Sequence, residues 1–179
     1  MSAPFSPEAV ANRFVEVAKE KNSELSLMQL LKIVYFAHGW HLALAGKPLI
    51  SEQVEAWKFG PVAPSVYHAF KGNGSSPITK PCISFDLEEY QRTGDLASCI
   101  PTIERTSSLD AFFEKIWNVY GKMSGFQLSQ ITHQPDSPWY KVWYEQGGSE
   151  RKGTDIPDAL ITEYFKGKLA SSHGLSSKA

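Results

Sequence analysis

Cysteine is scarce in this chain: Cys82 and Cys99 are the only two in 179 residues, with no CxxC spacing and no further thiol ligand. That excludes a disulfide scaffold and a thiolate zinc site, and both cysteines are expected as reduced thiols. A basic surplus is also missing. Eighteen Lys and Arg against 19 Asp and Glu leave a net charge of −1, which argues against phosphate-backbone binding; nucleic acid is not an expected partner. Long apolar runs are missing as well. The longest, Ile33 to Ala45, is broken by His38, Gly39 and His41 and is too short for a bilayer, so no membrane partner is expected. The N-terminus lacks the basic start and apolar run of a signal peptide, and the expected location is the cytoplasm.

The familiar catalytic signatures are absent too. There is no GxxxxGK[ST], no GxGxxG, no HExxH and no GxSxG. No cofactor is expected. His38 and His41 are three apart on one predicted helix and would need a third ligand such as His133 or Asp136 to hold a metal. With no carboxylate nearby in sequence, both read as hydrogen-bonded core histidines, and no metal site is assigned. His133 and Asp136 lie in "THQPDSPW" and could form a general base, but turn and cap roles account for them more simply. No catalytic residue is assigned.

What the chain does have is helix punctuation and aromatics. Ser6-Pro7 is an N-cap followed by proline at the first helical position, opening a helix to about Lys21. Ser26 to Gln29 is a capping box for a second helix that stops at Gly46. That second helix is apolar nearly all round, with Lys32 its only charge, so it is predicted to be central and covered on most sides. Residues 52–59 alternate like a strand, Gly60-Pro61 stops it, and Pro64 opens a short helix. Residues 78–85 and 100–105 read as further strands. Leu109, Phe112, Phe113, Ile116, Trp117 and Tyr120 recur at helical spacing. A second capping box, Ser124 to Gln127, then Ser137-Pro138 and Pro157, each open another helix. The expected fold is mainly α: a compact helical domain over residues 1–170 around a central hydrophobic helix, with a small β-element and a mobile tail at 171–179. Trp57 and Phe59 beside the Gly-Pro bend are either a wedge on the second helix or a binding hot spot.

Two stretches carry a family resemblance. Residues 30–71, "LLKIVYFAHGWHLALAGKPLISEQVEAWKFGPVAPSVYHAFK", and residues 108–143, "SLDAFFEKIWNVYGKMSGFQLSQITHQPDSPWYKVW", resemble the Panacea-domain, SocA-like antitoxins. The motif positions are Tyr35, Phe36, Ala37, Gly39, Trp40 and Leu42; then Glu55, Ala56, Trp57, Gly60, Pro61, Val62, Pro64 and Tyr67; then Leu128, Ser129, Thr132, His133, Pro138 and Trp139. The resemblance implies a helical, non-enzymatic protein of bacterial or phage origin, encoded beside a small toxic protein that it neutralises by direct binding. One kind of member delivers its toxin to a protease as an adaptor, so a protease is a possible second partner. A hydrolase using His133 and Asp136 is the third reading. Because members share the Gly60-Pro61 corner while their toxins differ, the resemblance implies that the corner is scaffold. Partner contacts then fall in residues 73–106 and on exposed helix faces, with Ile78, Ile83 and Phe85 as anchors lacking an obvious place in the core.

Overall fold

The computed structural model describes residues 3–84, 87–95 and 99–176. Among these the chain is mainly helical: α1 (Pro7–Glu20), α2 (Leu27–Ala45), α3 (Pro64–Phe70), α4 (Leu87–Thr93), α5 (Ser107–Tyr120), α6 (Gly125–Thr132), α7 (Pro138–Tyr140) and α8 (Asp158–Ser176). A three-stranded antiparallel sheet, ordered β2-β1-β3, joins β1 (Val54–Trp57), β2 (Gly60–Val62) and β3 (Thr154–Ile156).

Helix boundaries follow their local chemistry. Ser6 Oγ accepts the Ala9 N–H at 3.2 Å to cap α1. At α2, Ser26 Oγ accepts from the Gln29 N–H while Gln29 Oε1 accepts from the Ser26 N–H, so both orphan donors are satisfied. Gly46, left-handed at φ +67°, closes α2. The same reciprocal pair, Ser124 and Gln127, starts α6. Helix α2 is the centre of the molecule, as its all-round apolar surface requires: α1, α3, α5, α6, α8 and β2 all pack on it. Residues 30–39 of α2 are buried without a break, Lys32 and His38 among them.

The sheet differs from expectation in three places. Gly60-Pro61 does not merely stop β1; it is the first part of β2, which folds back with Trp57 opposite Gly60 and only Lys58 and Phe59 between. β3 pairs Ile156 with Val54, a strand too short and too polar to read from sequence. Of residues 78–85 and 100–105, expected as strands, the described part, 78–84 and 100–105, is not strand. One backbone bond joins the two stretches, the Ser84 N–H donating to the Cys99 carbonyl at 3.0 Å, and other backbone groups go to α1 and the chain before α2. Asn12, 2% exposed, accepts the Cys82 N–H at 2.8 Å and donates to the carbonyls of Cys82 and Pro101 at 3.1 and 2.9 Å. The Ile78 N–H donates to the Leu25 carbonyl at 2.8 Å. Cys82 and Cys99 are both buried and are not joined in a disulfide. Helix α8 runs on to Ser176, past the point where the sequence suggests a tail.

Candidate functional site

The second and third groups of motif residues meet at the β1–β2 hairpin and the elements that hold it. Gly60 has φ +106°, and a Cβ there would lie 2.7 Å from Lys32 Nζ and 2.8 Å from Thr132 Oγ1. Glycine is required twice over, by the backbone and by the space. Lys32 reaches the corner from α2 and donates to the Pro61 carbonyl at 3.0 Å. The ammonium is fully buried and forms no ion pair among the described residues. Burial alone pushes its pKa down from 10.5 to about 7.

From the other side, α6 and α7 fasten the same hairpin. Ser129 Oγ donates to the Phe59 carbonyl at 3.0 Å, and the Trp139 indole N–H donates to the Trp57 carbonyl at 2.8 Å. Ser137 caps α7 through the Tyr140 N–H and donates back to the Thr132 carbonyl at 2.6 Å. The His133 ring lies against Trp139, centroids 3.9 Å apart, and its Nδ1–H donates to the Ser129 carbonyl. Trp139 in turn stacks on Trp143 at 5.6 Å. Buried Pro138 sets the first turn of α7.

The first motif works at the opposite end of α2. Phe36 stacks on Tyr120 at 4.3 Å, and the Trp40 indole N–H donates to the Tyr120 hydroxyl at 2.8 Å. Tyr35 is buried with its ring edge toward Phe165 of α8. Gly39 leaves room for that same ring: any Cβ there would fall inside it. Trp57 is half-buried, and its ring contact and hydrogen bond go to α3 and β1 rather than to α2. Its ring meets Tyr67 at 4.9 Å and its indole N–H donates to Glu55 at 2.7 Å, while part of its surface faces solvent.

A model of the SocA-like antitoxin, Panacea domain, matches residues 30–140. The chain is 32% identical over 158 residues to Antitoxin SocA of Caulobacter vibrioides, covering 88% of this chain and 81% of that protein. This chain belongs to the SocA-like Panacea family. No solved structure matches it.

Within this Panacea domain the histidines have structural partners. The sequence reading placed no carboxylate beside His38. The fold supplies one, because Asp158 at the start of α8 accepts from His38 Nε2–H at 3.0 Å, across 120 residues of sequence. The Ile50 N–H approaches Nδ1 at 3.5 Å, so both ring nitrogens have a partner. His41 turns elsewhere and bonds the Lys47 carbonyl at 2.7 Å, so the two do not converge. His133 and Asp136 are likewise engaged separately: His133 with Ser129, exposed Asp136 with Lys168 at 3.1 Å. Burial pushes the Cys82 thiol up to about 11, so it stays protonated at neutral pH.

Of the three expected anchors, Ile78 needs correction. It is 4% exposed and belongs to the main core, having found the place that the sequence did not suggest. Ile83 is 54% exposed. Phe85 lies outside the described residues. Two exposed aromatics lie outside those three anchors: Phe59 at the hairpin tip, 60% exposed, and Phe126 on α6, 72% exposed. Phe59 was noticed beside Trp57, but its outward direction depends on the unread β2.

Proposed function

We propose that this chain is the antitoxin of a toxin–antitoxin pair and neutralises its cognate toxin by direct, non-covalent protein–protein binding. The observation that carries this reading is how the motif side chains are used. The motif residues Ser129, His133 and Trp139, and Lys32 beside them, each place a polar atom on a backbone carbonyl within the fold. Residues so used brace a surface; they do not face a substrate. The braced hairpin displays Phe59 outward, with Lys58 Nζ 5.5 Å from its ring centroid. Rigidly mounted aromatics are what protein interfaces concentrate at their anchors. Ile83 is a further contact candidate on a separate part of the surface.

The test is co-expression with the toxic reading frame encoded next door, in hosts with and without their cytosolic ATP-dependent proteases. Growth rescue in both hosts, with a complex that co-elutes on gel filtration, is the expected result. Rescue confined to the protease-proficient host would replace this reading by the adaptor one. No rescue in either host would overturn both.

A further inference from the structure

Beside the hairpin, β1 and the turn leading into β3 enclose a cleft of about 710 Å³. Trp57 and Trp143 give it an apolar lining, and its rim carries exposed Lys58, Arg151 and Lys152 with one exposed carboxylate, Glu150. Among the described residues none of these three cations forms an ion pair, whereas Arg13, Lys21, Arg105 and Lys168 all do. Glu55 also lines the cleft, so Lys58, Arg151 and Lys152 stand against two carboxylates, Glu55 and Glu150. The Glu55 Oε2 accepts from the Trp57 indole, and its carboxylate packs so closely on Gly153 that a Cβ there would lie 3.0 Å away. The cleft is left with a small cationic excess beside two indoles.

Such a site suits an anion carried next to an aromatic ring. The ring can lie against Trp57 and Trp143, while the arginine fork and the two ammonium groups take carboxylates. We infer that this cleft docks an acidic segment of the partner protein, one in which aspartate or glutamate flanks an aromatic side chain. The inference rests on the antitoxin reading for the identity of the partner, but not for the chemistry of the cleft.

The direct probe is a blocked peptide of alternating aspartate and phenylalanine, titrated into the isotope-labelled full chain and followed through the tryptophan indole N–H resonances. The Trp57 and Trp143 resonances should move, while those of Trp40 on α2 and Trp117 on α5 stay. The double variant Arg151→Glu, Lys152→Glu should weaken binding by about tenfold or more. No movement at millimolar peptide, an equal response to the lysine counterpart, or affinity indifferent to the charge reversal would overturn the assignment. A second arm uses the growth assay with the double variant, its fold checked by circular dichroism. Rescue by wild type but not by the folded variant supports the cleft. Rescue by both overturns the cleft and leaves the antitoxin reading standing. Rescue by neither overturns the antitoxin reading, and the peptide titration then decides the cleft alone.

Discussion

Lys32 is the residue whose chemistry is most out of the ordinary. It could be picked out in the sequence as the only charge on α2, but not its role, because its partner is a carbonyl from the hairpin 29 residues away. In the unfolded chain its pKa is near 10.4; in the fold burial lowers it to about 7. Between those values the unfolded chain holds more protons than the native one, so Lys32 makes stability rise with pH from about 7 to about 10. The stability difference between Lys32→Met and wild type isolates this group, since other titrations cancel. That difference should move in favour of wild type by roughly 2–3 kcal/mol between pH 7 and pH 9, about 1.4 kcal/mol per unit. Urea denaturation of both proteins at the two pH values measures it. A difference that stays flat would mean that the ammonium is solvated or paired in solution.

At the scale of elements, the hairpin is the joint where α2, α6 and α7 meet. Trp139→Phe keeps a large ring on α7 and removes its hydrogen bond to the part-buried Trp57 carbonyl. The expected cost is about 1–3 kcal/mol, read as a lower thermal midpoint. Trp57→Ala should cost less than the full truncation of a buried tryptophan, because Trp57 is only half-buried. The helices were legible because their ends are written locally: the Ser26–Gln29 and Ser124–Gln127 boxes, Pro7, Pro138 and Gly46 act within three or four residues. The motif surroundings of the corner were legible for the same reason. β2, β3 and the loops at 78–84 and 99–105 were not. Each is defined by a distant partner, and three-residue strands show no alternation to read. The cleft was hidden likewise, since Trp57 and Arg151 meet only once β3 has paired with β1.

Across the whole molecule, the near-zero net charge gives no long-range pull on a partner, so local charge on the cleft rim must supply any electrostatic preference. No helix among the described residues is long and apolar enough to cross a membrane. Asn12 carries a different consequence. Its three hydrogen bonds draw Cys82 and Pro101 to one point on α1 and fasten both ends of the chain between them. The length of that excursion is therefore decoupled from the stability of the rest. For a chain closed at its base, the entropy lost grows only with the logarithm of its length. A Gly/Ser insert of about ten residues after Gly94 should cost only about 0.4 kcal/mol, whereas Asn12→Ala should cost several times more by freeing both ends. Melting curves of the two variants test the contrast, and an insert as damaging as the alanine would show the excursion to be under tension. If the contrast holds, this is where related antitoxins can gain or lose residues without rebuilding the molecule.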